Sequence, residues 1–209
     1  MKKLFCILVA VFFIISIPLI SQNSAKVFET DNLIFFGLDF SKAKMIGTSE
    51  FKSGEEIKNT YFKAWNDVLV KEKKKYNIAE TFQKTNVLYA TDYINERNQN
   101  TDPSKIVVDV SDSFSFKEVP LIIKEYNPKD FKDGIGLVII VESFDKSKLL
   151  GTMYVVFFDI ASKKVLISEK MSGEPGGFGL RNYWIRTVFN VLKKIKDSDY
   201  ELWKSKYNN

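Results

Sequence analysis

Three apolar, β-branched and aromatic runs dominate the C-terminal third of the chain, at residues 136–144, 149–160 and 164–171. They are separated only by Asp145-Lys146-Ser147-Lys148 and Ala161-Ser162-Lys163. Connections that short join antiparallel neighbours, so the pattern predicts a three-strand meander. Upstream, Leu33-Ile34-Phe35-Phe36-Gly37-Leu38-Asp39-Phe40 reads as a buried strand, followed by a turn at Ser41-Lys42 and an extension through Met45-Ile46. Ser53-Gly54-Glu55-Glu56 has the composition of a helix start, a Ser cap followed by carboxylates in the first turn. Ile57, Tyr61, Trp65, Val68 and Leu69 then recur at helical spacing, which predicts a long helix over 55–75. A second helix of similar weight is expected over 180–196, with Trp184, Ile185, Val188, Val191, Leu192 and Ile195 on its apolar side.

Between these regions the pattern is weaker. Residues 77–84 suggest a short helix, 86–90 and 105–110 short strands, and 95–104, poor in apolar residues, a surface loop. Pro120 would block a central strand but suits the first turn of a helix, so 116–126 is read as a short helix. The fold expected is therefore α+β: a mostly antiparallel sheet with the C-terminal meander, flanked by two main helices. Leu137-Val138-Ile139-Ile140-Val141 is apolar at both alternating positions, which requires cover on both sides of the sheet. One long helix in each half covers only part of this, leaving a partner or the segment 90–130 to cover the rest.

The N-terminus changes where such a domain would work. Lys2 and Lys3 precede an apolar run from Leu4 to Ile17, broken only by Ser16, and Pro18 ends it before a polar stretch. This is the layout of a secretory signal peptide, and the run is shorter than the roughly 20 residues a bilayer span needs. Removal of residues 1–21 leaves 22–209 as one exported α+β domain, periplasmic or secreted, without stable membrane insertion. Cleavage falls between Ile20 and Ala25, where Ser21 is the best small residue and Asn23-Ser24-Ala25 the next. Cys6 lies inside the apolar run rather than after it, so no lipid anchor is expected.

That address excludes several chemistries. Cys6 is the only cysteine, so the mature chain has no disulfide and must be held by packing, which fits its 15 Phe, 9 Tyr and 3 Trp. There is no histidine. Ser-His-Asp and Cys-His catalysis, His/Cys zinc sites and thiol redox work are thereby excluded. Loss of Lys2 and Lys3 leaves 29 Lys and Arg against 26 Asp and Glu, a net of +3, too small and dispersed to point to nucleic acid. The basic group Lys71 to Lys75 reads as a solvated helix end.

The chemistry that survives rests on carboxylates, Lys, Tyr or Ser. Ser-x-x-Lys occurs as Ser41/Lys44, Ser49/Lys52 and Ser143/Lys146, none opening a clear helix. Asp39 and Asp159 sit at the ends of strand runs before turns, where capping of the backbone competes with acid–base work. Asp109, Asp112 and Glu118 approach calcium-loop spacing but lack its glycine, and neither a metal nor a cofactor is expected. The most site-like segment is the glycine-rich loop from Gly173 running into the last helix. Gly176, Gly177, Gly179, Arg181 and Asn182 are its candidate ligand-binding residues, with backbone N–H groups and the guanidinium converging on a phosphate or carboxylate. It matches neither a P-loop nor G-x-G-x-x-G. The competing reading is a tight corner packed down by Phe178, Tyr183 and Trp184.

Two strings, Phe36-Gly37-Leu38-Asp39-Phe40-Ser41-Lys42-Ala43-Lys44-Met45-Ile46-Gly47 and Gly177-Phe178-Gly179-Leu180-Arg181-Asn182-Tyr183-Trp184, carry a resemblance. They resemble a family of signal-peptide-bearing secreted or periplasmic proteins of Bacteroidetes to which no activity is attached. The closing strand–turn–strand–glycine-loop–helix pattern is also similar, at the level of fold, to small α+β domains of envelope lipoproteins and outer-membrane assembly factors. With the missing His and Cys and the two-faced strands, the expectation is an exported, non-enzymatic binding or assembly module of the cell envelope with a protein partner there, the assembly role being an analogy with the second similarity. The alternatives are a small anionic-ligand binder using the Gly173–Arg181 loop and a carboxylate-based hydrolase. No catalytic residue is assigned.

Overall fold

The computed structural model describes residues 19–51, 53–110 and 114–208. The apolar run assigned to a signal peptide lies outside these residues. The description begins within a helix, Leu19–Glu29, that spans the expected cleavage region. Ser24 and Val27 are buried in it, and Ser24 Oγ donates to the Leu166 carbonyl at 2.8 Å. A cut after residue 21 keeps both anchors, whereas a cut after Ala25 removes the first.

Seven strands form one sheet: β1 (Asn32–Asp39), β2 (Lys44–Ile46), β3 (Asn86–Tyr89), β4 (Val107–Val108), β5 (Ile135–Asp145), β6 (Leu150–Asp159) and β7 (Lys164–Gly173). β5, β6 and β7 form the expected antiparallel meander. The rest of the sheet is not antiparallel, and the expectation of a mostly antiparallel sheet is overturned. β1 pairs parallel with β5 and β3, and β2 pairs parallel with β5 and β4. β1 and β2 are successive lengths of one edge, meeting β5 first over Gly136–Ile140 and then over Ser143–Asp145. The reason is connectivity. Around a hundred residues, several of them helical, separate β1 from β5, and a crossover of that kind returns the chain in the same direction.

The sheet is covered on both sides, as the two-faced β5 requires. Leu137, Ile139 and Val141 pack with Trp65, Leu69, Trp184 and Val188, the apolar sides of the two main helices. Val138 and Ile140 face Ile94, Val119, Ile122, Ile123 and Tyr126, so the segment between 90 and 130 supplies the second layer. Ser53 caps the first main helix through the Glu56 amide, and the helix runs over 54–71 with a π-helical stretch at Ile57–Phe62. The last helix extends past the expected limit to 207, with a π-helical stretch at Ile195–Asp199.

Two local departures position the candidate sites. In β1, the register slips between Phe35 and Gly37, so Phe36 is an extra residue and the alternation of faces inverts. Leu38 and Phe40 then join Phe35 on the helix side, while Asp39 is turned to the other side with Tyr126. In the meander, Gly151 and Gly173 are paired across β6 and β7, and the last helix crosses directly above them. A Cβ on Gly173 would lie 2.3 Å from the Thr187 carbonyl oxygen, so the close approach depends on the missing side chain.

Candidate functional site

Two concave regions carry most of the chemistry. The first lies at the carboxyl end of β1, the position where open parallel sheets place ligands. Its volume is about 560 Å³, and Ser41, Lys44, Arg97, Thr101, Glu125 and Glu142 are among its walls. At its base Asp39 is fully buried. One carboxylate oxygen accepts from the Ser41 amide at 2.7 Å, the Asx-type capping that competes with acid–base work. The other accepts from Arg97 Nε at 3.2 Å and the Tyr126 hydroxyl at 2.5 Å. Arg97 also reaches Glu125 at 2.7 Å and lies over the Tyr126 ring. Desolvation, reinforced by the Asp39 charge, holds the Tyr126 phenol well above its ordinary pKa, so it stays a donor.

This network is assembled by a helix that the apolar pattern does not reveal. Residues 95–104, expected to form a surface loop, instead begin inside a helix, Thr91–Gln99. Apart from Ile94, which packs on the sheet, its inward side chains are polar. Asn98 accepts from the Phe40 amide at 2.7 Å and donates to the Leu38 carbonyl at 2.9 Å, while Arg97 binds Asp39. Asn66, from the first main helix, takes the Leu38 amide at 2.7 Å, and its amide nitrogen donates to Asn95 at 2.9 Å. Where β1 runs past the end of β3 while still paired with β5, side-chain amides replace the ladder bonds lost on that side.

The other acids of this cleft are similarly engaged. Glu142 sits at the β5 bulge between Val141 and Ser143, accepts from the Phe114 amide at 2.9 Å and pairs with Lys170 at 2.7 Å. Asp102 and Glu118 cap the backbone at Ser104 and Ser115. Lys44 Nζ binds the Lys105 carbonyl, and burial together with the Lys105 charge lowers its pKa. Ser41 and Lys44 therefore make no nucleophile–base pair. Ser143 and Lys146 fall at the end of β5 and in the following turn, and Ser49/Lys52 falls partly outside the described residues.

The second region, about 600 Å³, runs along the flank of the last helix. Gly176, Gly177, Arg181 and Asn182 line it, which unites four of the five candidates. Gly179 does not belong to this set. It lines a separate, smaller depression of about 230 Å³ with Glu50, Lys146 and Tyr183. The expected convergence of backbone N–H groups is also not what forms the groove. The Gly176 amide donates to the Tyr183 carbonyl at 3.0 Å, so the loop folds back on the helix it precedes. Nor is the corner packed down by all three aromatic residues. Trp184 is buried and Tyr183 half-buried, but Phe178 is 95 % exposed.

The groove's chemistry comes from side chains. Arg181 is exposed, and its only side-chain bond among the described residues is to neighbouring Asn182 at 3.2 Å. Its carbonyl is tied down by Trp65 Nε1 at 3.0 Å. Arg186 lies over the Phe189 ring and makes no ion pair among the described residues. The opposite wall carries Glu72, Lys75 and Tyr76, the first two paired at 3.4 Å. Tyr76 is fully buried, and its hydroxyl has no hydrogen-bond partner among the described residues. Burial and the Glu72 charge push the phenol up to about 12, with Arg186 and Arg181 acting in opposition. Arg186 and Tyr76 were absent from the sequence-based set. Arg186 shares Arg181's helix and was visible as a second cation five residues on, whereas nothing local marks Tyr76.

Asp159 is placed as a cap, its carboxylate accepting from the Ser162 amide at 2.8 Å. Among the described residues, no three carboxylates converge as a metal site, and no helix is long and apolar enough to cross a membrane. No family model matches the sequence, and no curated protein is similar to it. Among solved structures, the C-terminal domain of LpoB from Salmonella enterica superposes on 74 % of this chain and 95 % of its own length, at 8 % identity. The TM-score is 0.23, too loose a superposition to define a shared fold.

Proposed function

We propose that this chain is an exported, non-enzymatic binding module of the cell envelope, related to the Bacteroidetes secreted family it resembles and acting through a protein partner there. The observation that supports a binding role is the state of Asp39. At the carboxyl end of a parallel strand, where a working acid or base is expected, the fully buried Asp39 carboxylate is occupied by an amide, a guanidinium and a phenol. A carboxylate so engaged positions its neighbours and, being fully buried, presents no oxygen to a substrate. A carboxylate-based hydrolase would need two acids facing each other with one able to carry a proton, and the acids of this cleft are bound to cations or backbone amides.

The test is in-cell crosslinking followed by fractionation and mass spectrometry of the native protein. The expected result is a chain beginning near residue 22, in the envelope fraction, joined reproducibly to one protein. A full-length chain in the cytoplasm overturns the exported assignment. Turnover of an envelope substrate by the purified protein overturns the binding assignment.

A further inference from the structure

We propose that the groove between the glycine-rich loop, the last helix and the end of the first main helix is a binding site for a small oxyanion, a phosphate monoester before a carboxylate, held by Arg181, Arg186 and Tyr76. It does not depend on the protein partner of the preceding section. Three observations carry it. The two guanidiniums lie on one wall, exposed and free of carboxylate partners among the described residues, in a chain where cations are commonly paired. The facing wall holds a buried phenol whose hydroxyl has no hydrogen-bond partner among the described residues, a group that costs stability unless something occupies it. The Tyr76 ring is fixed edge-on against Phe189, on which Arg186 also rests, so phenol and guanidinium share one support.

The charges select the ligand. Among the lining residues Glu72 pairs with Lys75, so Lys75, Arg181 and Arg186 face two carboxylates, Glu72 and Glu174, and the groove keeps one net positive charge. That balance suits a ligand carrying one or two negative charges on planar or tetrahedral oxygens, the geometry guanidinium forks match bidentately. A dianionic phosphate engages both forks and takes the phenol proton as a hydrogen bond. A monocarboxylate satisfies one fork and the phenol. Glu174 disfavours larger polyanions and leaves an acceptor for a hydroxyl elsewhere on the ligand. The groove is open at the exposed Phe178, so the rest of a small ester has room to leave it.

The experiment is calorimetric titration of the purified mature chain with inorganic phosphate and with succinate, at constant ionic strength set by sodium chloride. Saturable phosphate binding, stronger than succinate, is expected. Arg181→Ala combined with Arg186→Ala should weaken phosphate binding more than tenfold. Tyr76→Phe, which keeps the ring and its packing, should weaken it about two- to tenfold, the loss of one hydrogen bond. Thermal melting without ligand checks that each variant is folded. Succinate binding equal to or tighter than phosphate replaces the phosphate assignment with a carboxylate one. Absence of saturable binding by the wild type, or unchanged affinity in the double variant, overturns the site. Neither result touches the crosslinking outcome, so the two proposals fail separately.

Discussion

The two concave regions use the same kinds of side chain to opposite ends. At the carboxyl end of β1, Asp39, Arg97, Glu125 and Tyr126 bind one another, and Asn66 and Asn98 supply the bonds that the strand backbone lacks. Beside the last helix, Arg181, Arg186 and Tyr76 bind almost nothing. Satisfied buried polar groups make an arrangement rigid and specific, whereas unsatisfied ones retain free energy that a ligand can recover. The Asp39 network is therefore read as architecture and the second region as a site, although the first region also holds a buried Thr101 hydroxyl without a partner among the described residues and lies where parallel sheets usually bind ligands.

The largest expected effect that tests this division is in the first region. Asp39→Ala leaves the Tyr126 hydroxyl and the Ser41 amide without an acceptor and Arg97 with Glu125 as its remaining carboxylate. Breaking a buried pair on one side costs about 3–5 kcal/mol, and urea unfolding should show a loss of that size. A loss below about 1 kcal/mol would mean that Asp39 is not a structural lock, and the cleft would again be a candidate site.

Next in size is a pair of glycine substitutions. Gly37 has φ +97°, and a Cβ there would lie 2.5 Å from Asn66 Oδ1, which holds the Leu38 amide. Gly37→Ala should cost about 1–3 kcal/mol, strain and displaced Asn66 together. At Gly176 the nearest atom to a new Cβ is Arg186 Cγ at 3.6 Å, and the change should stay within about 0.5 kcal/mol. Equal effects at the two positions would erase the distinction between a locked and an open region.

These contrasts also mark what the sequence makes legible. The meander is readable because its strands are long and its connectors short. The helix start at Ser53 is readable from its cap, and the need for a second layer follows from the two apolar faces of β5. The parallel pairing of β1 and β2 is not readable, since the partner strand lies around a hundred residues away and a parallel run has no connector signature. The Thr91–Gln99 helix is hidden because Ile94 is its one buried apolar residue, and Asn95, Arg97 and Asn98 beside it are held by hydrogen bonds rather than by an apolar stripe. In the groove, glycines and Arg181 stand out along the chain. Tyr76 becomes relevant only through a contact across more than a hundred residues.

A third kind of buried polar group lies between these extremes. Lys84 is buried, and its ammonium donates to the Val27 and Thr30 carbonyls at the end of the N-terminal helix. Desolvation lowers its pKa to about 8, below that of an unfolded lysine. Between the two values the unfolded chain holds a proton that the folded chain has released. Stability should therefore rise from about pH 8 to pH 10, before the raised phenols of Tyr76 and Tyr200 reverse the trend. Urea midpoints measured across that interval should climb in the wild type and stay level in Lys84→Met. A wild-type slope of zero would show that the two carbonyls satisfy the ammonium fully, aligning Lys84 with the Asp39 network.

The smallest expected effect is the sharpest discriminator, because it asks for nothing to happen. Arg181 contributes its carbonyl to Trp65, and that bond survives truncation of the side chain. The guanidinium itself is exposed and bonded only to Asn182, a contact that water replaces at little cost. Arg181→Ala should therefore leave the urea midpoint within about 0.5 kcal/mol of the wild type, with an unchanged slope. A destabilisation above about 1 kcal/mol would mean that the guanidinium holds the loop to the helix, placing it with Arg97 as architecture. Unchanged stability together with lost phosphate binding would leave ligand capture as the role of this side chain, since a group without structural value that governs affinity is acting on the ligand alone.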